Sequence, residues 1–133
     1  MTKPKLLVVD DEPDMLDFVE RVMRRRFDVT RCTSAEDALA ALASGDYEVL
    51  ITDQKMPRVS GLEMLDRIAG SYPRLVRILL SGFTDMPDIQ RAAERATVHG
   101  YVLKPVDSQR LLNAVDRAYR VRDGAPFDPV DGS

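Results

Sequence analysis

The sequence predicts an α/β protein in which a doubly wound, five-stranded parallel sheet is covered by five helices. Two observations lead to this prediction: short apolar segments recur along the chain, and longer segments with helical spacing alternate with them. The connections between the segments are also short, which is typical of right-handed strand-helix-strand units with helices on both faces of a sheet. The periodicity alone leaves the strand order open.

Each predicted strand is a short run rich in Val, Ile and Leu. The first, third and fourth runs are almost uniformly apolar, as expected of central strands that are covered on both faces, whereas the second alternates and is predicted to lie at an edge. The five runs are KLLVV (5 to 9), FDVTRCT (27 to 33), YEVLIT (47 to 52), VRILLS (76 to 81) and YVLK (101 to 104).

The predicted helices follow the strands in order. In PDMLDFVERVMRRR the apolar residues recur at helical spacing, so one face is predicted to pack on the sheet while the other is solvated. SAEDALAALAS begins with Ser34, a residue typical of helix N-termini, and stops at Gly45. The remaining three helices are predicted from GLEMLDRIAGS, PDIQRAAERA and SQRLLNAVDRAYR.

The composition predicts one domain without a nucleic-acid interface. A chain of 133 residues is long enough to bury a core, and its net charge of -3 provides no basic field for nucleic acid. Cys32 is the only cysteine, so a reduced thiol is expected. No apolar run approaches the roughly 18 residues of a membrane span, and the N-terminus lacks a signal-peptide pattern. We therefore expect a cytoplasmic protein without a membrane partner.

Polar residues end four of the five predicted strands. Asp10 and Asp11 follow the first strand, Asp53 ends the third, Ser81 the fourth and Lys104 the fifth. Each residue alone could cap a helix, begin a turn or be solvated, but the carboxyl ends of parallel strands form the usual ligand site. Three carboxylates repel one another unless a hard cation lies among them, and Mg²⁺ prefers oxygen ligands. Together these residues predict a Mg²⁺ site suited to phosphoryl chemistry.

Four motifs, VVDDE, TDQKMPRVSGLEML, LLSG and GYVLKP, occur in this order and resemble the receiver domain of two-component response regulators, as in the chemotaxis regulators. The resemblance covers residues 4 to 122 and leaves residues 123 to 133, rich in Gly, Pro and Asp, as a flexible tail or linker. It implies the flavodoxin-like strand order 2-1-3-4-5. It also implies a cis peptide bond between Lys104 and Pro105.

The resemblance assigns the metal and phosphoryl chemistry to particular residues. Asp53 is implied to be the phosphoacceptor. Mg²⁺ is implied to bind Asp10, Asp11, Asp53 and the backbone carbonyl of Lys55. These are expectations that follow from the family and not from spacing.

The resemblance also implies the residues that sense the phosphoryl group. Ser81 and Lys104 are expected to contact the phosphoryl oxygens, and Ser81 is expected to act with Tyr101 as the conformational switch. Lys55 and Phe83 occupy variable positions of the family and are candidates for tuning the reaction rates. Phe83 could impede an attacking water or could simply be a packed loop aromatic.

The implied function is a signalling switch and not an enzyme with a separate substrate. A sensor histidine kinase or phosphotransfer protein would donate the phosphoryl group, and the domain would catalyse only its own phosphorylation and slow dephosphorylation. An output protein or an attached effector domain would receive the signal. The fourth helix, fifth strand and fifth helix form the expected exit face, where charges of both signs could pair in a homodimer: Asp88, Arg91, Arg95, Asp116 and Arg117.

Two other functions remain as alternatives. A Mg²⁺-dependent phosphohydrolase with an aspartyl nucleophile at the first strand resembles D-x-D-x-T/V, whereas this chain has DDEPD and no lid insertion. A flavin or nucleotide site needs a Gly-rich or Ser/Thr-rich loop there, and DDEPD would repel phosphate. The lone His99 is predicted to be a loop residue without an acidic partner.

Overall fold

Five parallel strands form the centre of the computed structural model, which describes residues 2–127 and, at Phe83, the backbone only. The strands are β1 (Lys5–Val9), β2 (Asp28–Cys32), β3 (Val49–Asp53), β4 (Val76–Ser81) and β5 (Gly100–Leu103). They lie in the order β2-β1-β3-β4-β5, and the neighbouring strands are parallel. The predicted strand order and the edge position of the second strand are confirmed.

Five helices begin where the sequence supplies N-terminal capping groups or a proline. Ser34 accepts the backbone N–H of Asp37 at 3.1 Å, and Ser60 forms a reciprocal capping box with Glu63. Proline occupies the first turn of the first and fourth helices. The helices are α1 (Pro13–Met23), α2 (Ala35–Ser44), α3 (Gly61–Ile68), α4 (Met86–Glu94) and α5 (Ser108–Arg122).

The sheet separates two apolar cores. Successive side chains of a strand point to opposite faces, so Leu6 and Val8 of β1 pack with α1 and α5, whereas Leu7 and Val9 pack with α2, α3 and α4. Burial of each such side chain contributes roughly 1.5 to 3 kcal/mol. Because both faces are covered, the ends of the strands are where polar groups of the sheet can meet.

The segment that follows α5 contacts the domain over part of its length. Asp123 forms an ion pair with Arg74 at 3.0 Å, and the N–H of Ala125 donates to the carbonyl of Arg120 at 2.9 Å. Gly124 has a φ of 114°, a backbone conformation that favours glycine. Residues 123–127 of the predicted tail therefore lie against the domain, whereas residues 128–133 are outside the described part of the chain.

A buried arginine and histidine connect β4 to the loop before β5. His99 lies in that loop, as predicted, but its side chain is buried, and its Nδ1 accepts the backbone N–H of Arg77 at 3.0 Å. The guanidinium of Arg77 is also buried and donates to the carbonyls of Thr97 and Ala96 at 2.9 and 2.8 Å. Burial, with the positive charge of Arg77, lowers the pKa of His99 to about 4.

Replacement of His99 by Gln is expected to reduce the loss of stability in acid. The unfolded chain protonates His99 with an ordinary pKa of about 6.5, so stability is lost as the pH falls from there toward the folded-state pKa of about 4. Between pH 7 and 5, the free energy of unfolding of wild type should fall by about 2 kcal/mol more than that of His99→Gln. Gln is chosen because its side-chain oxygen can still accept the N–H of Arg77. Urea unfolding of both proteins at both pH values measures this difference. A difference that does not change with pH would contradict the prediction.

Candidate functional site

The carboxyl ends of the strands bring the predicted polar residues to one edge of the sheet. Asp10 follows β1, Asp53 ends β3 and Ser81 ends β4, while Lys104 follows β5. The register pairs Asp53 with Leu80, next to Ser81, so β3 and β4 end at nearly the same level. The edge therefore gathers residues that are far apart in sequence.

Asp53 and Lys104 form an ion pair at this edge. Lys104 Nζ lies 2.6 Å from Asp53 Oδ1, and the Asp53 side chain is only 2% exposed. The contact is therefore a close ion pair between a buried carboxylate and an ammonium group that is 33% exposed. Burial opposes the charged form of Lys104, but Asp53, together with Asp10 and Glu12, raises the pKa of Lys104. The ammonium group is therefore held charged beside the carboxylate.

The loop that carries Lys104 is held by α5. The peptide bond between Lys104 and Pro105 is cis, which confirms the prediction. Arg110 of α5 donates to the carbonyls of Leu103 and Pro105, each at 2.9 Å. Arg110 was not predicted from the sequence, because an arginine in the first turn of a helix gives no sign of such contacts.

An acidic cluster of Asp10, Asp11 and Glu12 lies beside the ion pair. Each of the three offers a carboxylate oxygen within 4.8 Å of the other two, and Asp10 is buried while its neighbours are exposed. Asp10 Oδ1 accepts the N–H of Glu12 at 2.9 Å, whereas the buried Oδ2 has no hydrogen-bond partner among the described residues. Burial raises the pKa of Asp10 to about 6, and the charges of Asp53 and Asp11 act in the same direction.

The donor atoms of this cluster fit Mg²⁺, which takes carboxylate oxygens and retains several waters. The unpartnered oxygen of Asp10 is a buried acceptor that a cation would satisfy. Glu12 belongs to the cluster although it was not among the predicted ligands. Lys55 is exposed in the loop two residues after Asp53, and its carbonyl as a metal ligand stays a prediction.

The loop between β3 and α3 passes close to Asp53. The N–H of Gly61 donates to the carbonyl of Gln54 at 3.0 Å, and the Gln54 side chain accepts the N–H of Leu62 at 2.8 Å. A Cβ atom on Gly61 would lie 2.4 Å from the carbonyl oxygen of Asp53 and 2.9 Å from Leu79 Cδ1. Glycine is therefore required here by the close approach of α3 to the backbone of Asp53.

Ser81 is hydrogen-bonded to Asp85, a residue that was not predicted from the sequence. Its hydroxyl donates to Asp85 Oδ2 at 2.6 Å and also lies 3.1 Å from the carbonyl of Gly82. Asp85 ends a short 3-10 turn, Phe83–Asp85, immediately before α4. An acid before a helix is common because it complements the helix dipole, so the sequence carries no specific signal for this contact. The single hydroxyl proton of Ser81 is thus already donated, and Ser81 would have to give up this hydrogen bond to donate to another acceptor.

Tyr101 lies on β5 and is buried, with 3% of its surface exposed. Its ring stacks on that of Phe127, with the ring centroids 6.0 Å apart and the planes inclined at 27°. Phe83 begins the 3-10 turn, and only its backbone is described. Its expected effect on the reaction rates therefore stays a prediction.

Several charges of the predicted exit face pair within the chain. Asp88 pairs with Arg91, and Arg95 lies 3.3 Å from Asp66 of α3. Asp116 lies 2.7 Å from Arg26, near the end of α1. A homodimer that used these charges would have to exchange such pairs for contacts between subunits, and each exposed pair contributes only about 0 to 1 kcal/mol.

Comparison with known proteins identifies the family. The family model described as the response regulator receiver domain matches residues 6–116. The chain therefore belongs to the response-regulator receiver family, and the resemblance to this family that its motifs indicated is confirmed.

The curated relatives are longer proteins. The hydrogenase transcriptional regulatory protein HoxA of Cupriavidus necator is 36% identical over 113 residues, which cover 85% of this chain and 23% of HoxA. The response regulator protein PilR of Pseudomonas aeruginosa is 30% identical over 133 residues, which cover 98% of this chain and 30% of PilR. The chain thus spans 23% of the length of HoxA and 30% of the length of PilR.

Solved structures confirm the predicted fold. The signal receiver domain of an HD domain-containing protein from Pseudomonas fluorescens has a TM-score of 0.81 and 29% identity, covering 92% of this chain and 99% of that one. A response regulator receiver domain protein from Clostridium thermocellum has a TM-score of 0.78 and 29% identity, covering 90% of this chain and 97% of its own. Across the described residues, every helix is too short or too polar to cross a membrane.

Proposed function

We propose that this receiver domain accepts a phosphoryl group on Asp53 and changes conformation to control an output partner. The ion pair between the buried Asp53 and the partly exposed Lys104, beside the acidic cluster, is the observation that carries the proposal. A carboxylate oxygen of Asp53 would attack the phosphorus of a phosphohistidine. The P–O bond would form as the P–N bond breaks, and the electron pair would leave with the histidine nitrogen, which gains a proton.

The donor would be a sensor histidine kinase or a phosphotransfer protein. The receiver's own residues would bind and orient the phosphoryl group: Lys104 would pair with one phosphoryl oxygen and Ser81 would donate a hydrogen bond to another. Asp10, Asp11, Asp53 and the Lys55 carbonyl would hold Mg²⁺. The bound cation would neutralise charge that develops on the phosphoryl oxygens.

The output would be an attached effector domain or a separate protein. HoxA carries the name of a transcriptional regulatory protein and is about four times as long as the part that this chain matches. We propose that this receiver likewise controls an output that lies outside the receiver domain. Since bacterial transcription takes place in the cytoplasm, we place the receiver there as well. Its net charge of -3 supports an output through protein contacts and not through nucleic acid bound by this domain.

The phosphohydrolase alternative would need a nucleophile at the end of β1. Asp10 is poorly suited to that task, because one of its oxygens already accepts the N–H of Glu12, and Lys104 contacts Asp53 and not Asp10. The site therefore supports Asp53 as the attacking group.

Phosphorylation by a small-molecule donor tests the proposal directly. With acetyl phosphate and Mg²⁺, intact-mass analysis should show the addition of one phosphoryl group, and EDTA should prevent it. Asp11→Ala should require a higher Mg²⁺ concentration, whereas Asp14→Ala, which removes an exposed acid outside the cluster, should behave as wild type. Absence of the added phosphoryl group in wild type with Mg²⁺ would overturn the proposal.

Removal of the Asp85 carboxylate should make the phosphorylated conformation easier to reach. A hydrogen bond that involves a charged group contributes about 1.5 to 3 kcal/mol, and Ser81 must give up this one to reach a phosphoryl group. Asp85→Ala should therefore bind beryllofluoride, a phosphoryl mimic, at least about threefold more tightly in the presence of Mg²⁺. Calorimetric titration measures the affinity.

Asp88→Ala is the matched control, because Asp88 is an acid in the first turn of α4, three residues after Asp85, and pairs with Arg91. It should leave the affinity for beryllofluoride unchanged. Equal affinities of Asp85→Ala and Asp88→Ala would contradict the assigned role of Asp85.

We also propose that α4, β5 and α5 form the face that meets the output partner or, in a homodimer, a second copy. Since charges on α4 and α5 already pair within the chain, apolar contacts near Tyr101 would have to contribute to any dimer. Sedimentation with and without beryllofluoride tests the homodimer. A monomer at high concentration under both conditions would overturn it.

A further inference from the structure

The surface beside Tyr101 is already occupied by another part of the same chain. Phe127 is half-buried, stacks on the Tyr101 ring and borders a hollow on α4 that is lined by Gln90, Ala93 and Glu94. Tyr101 is only 3% exposed. A molecule that binds the Tyr101 ring from solvent would first have to displace Phe127.

The path of the chain after α5 explains how Phe127 reaches this surface. Gly124, with its φ of 114°, allows the chain to reverse direction at the end of the helix. The N–H of Ala125 then donates to Arg120, and Asp123 pairs with both Arg74 and Arg122. Contacts at both its beginning and its end thus hold the segment of residues 123–127 against the domain.

We infer that the surface formed by Tyr101 and α4 is a docking site for the chain's own C-terminal segment, residues 123–127, which phosphorylation of Asp53 releases. The inference rests on the proposed function, because it couples the segment to the phosphoryl group. Phe127 is the anchor, and the occupant of the site is the segment to which any following part of the protein is joined. Release of this segment would carry the signal out of the domain.

The position of Ser81 explains why phosphorylation of Asp53 would release the segment and not tighten its docking. In the structure Asp85 holds the Ser81 hydroxyl, and Tyr101 stacks on Phe127. Ser81 lies two residues after Leu79, which is paired with Tyr101, so the side chains of Ser81 and Tyr101 lie on the same face of the sheet. A phosphoryl group on Asp53 that drew Ser81 toward it would open space on that face. Movement of Tyr101 into that space would withdraw the ring on which Phe127 stacks.

Coupling between two binding events is reciprocal. Docking of the segment must therefore weaken the binding of a phosphoryl mimic by the same factor by which the mimic weakens docking. One aromatic pair makes a modest contribution, so the docked segment can be released by a single modification. Loss of the Phe127 ring should therefore tighten the binding of a phosphoryl mimic by about twofold to tenfold.

A tryptophan at position 127 provides a direct test, since the chain contains no Trp. Phe127→Trp should have blue-shifted emission with Mg²⁺ alone, and beryllofluoride should shift the emission to the red. Ala125→Trp is the control, because the Ala125 side chain is exposed in the same segment, and its emission should stay red-shifted throughout. In calorimetric titrations, Phe127→Ala should bind beryllofluoride about twofold to tenfold more tightly than wild type.

The possible outcomes separate this inference from the proposed function. A ¹⁹F NMR signal of bound beryllofluoride in wild type, absent in Asp53→Asn, reports that the phosphoryl site works. If that signal is present while the emission of Phe127→Trp is unchanged, or the affinity of Phe127→Ala equals that of wild type, the coupling is overturned and the proposed function stands. Absence of the signal in wild type would overturn both. Emission that depends on protein concentration would overturn docking within the chain and indicate a second copy instead.

Discussion

Asp53→Asn is expected to accept no phosphoryl group from acetyl phosphate and Mg²⁺ under conditions that label wild type. The amide has nearly the shape of the carboxylate, so it fits the buried position, but it lacks the anionic oxygen that attacks phosphorus. Intact-mass analysis of the two proteins measures the difference. Asp46→Asn, which alters an exposed acid before β3, should be labelled like wild type.

The same variant should remain folded, which makes the loss of labelling interpretable. It removes the ion pair with Lys104, but Lys104 is 33% exposed and can turn toward water. It also removes a buried negative charge that raises the pKa of Asp10. These effects oppose each other, so urea unfolding should show a change in the free energy of unfolding of less than about 2 kcal/mol. Equal labelling of Asp53→Asn and wild type would refute the assignment of the phosphoacceptor.

The fold was predictable because its pattern is local. Apolar runs such as VLI at the start of β3 are buried on both faces, and helical segments with one apolar face cover them, so alternation along the chain specifies the layers. The polar strand ends were predictable for the same reason, since topology brings every carboxyl end of a parallel sheet to one edge. Asp53 and Lys104 could therefore be placed together before their 2.6 Å contact was seen.

Other parts of the site depend on contacts that leave no periodic signal. Asp85 lies where acids commonly precede helices, so its hydrogen bond to Ser81 could not be distinguished from a favourable interaction with the helix dipole. Phe127 stands in a segment rich in Gly, Pro and Asp, a composition typical of linkers, and its stacking on Tyr101 joins residues far apart in the chain. The burial of His99 likewise depends on Arg77, whose own position inside an apolar strand was the only available hint.

Gly61→Ala is expected to destabilise the protein by about 1 to 3 kcal/mol and to slow phosphorylation of Asp53. The added Cβ would lie 2.4 Å from the carbonyl oxygen of Asp53. That neighbour is backbone and not the end of a flexible side chain, so either β3 or the start of α3 must shift. A displacement of about 1 Å near a reacting group can reduce a rate by about a hundredfold.

Gly70→Ala is the matched control for this experiment, because a Cβ there would meet no atom within 4 Å. It should leave the labelling rate unchanged and alter stability by less than about 1 kcal/mol, with a gain possible from the reduced freedom of the unfolded chain. Urea unfolding gives the stabilities, and the initial rate of phosphoryl addition gives the effect on the site. If Gly61→Ala matched Gly70→Ala in both measurements, α3 could not lie as close to the Asp53 backbone as the structure shows. If it lost stability but kept the rate of wild type, the strain would be relieved by movement of α3 alone, and the position of Asp53 would not depend on that helix.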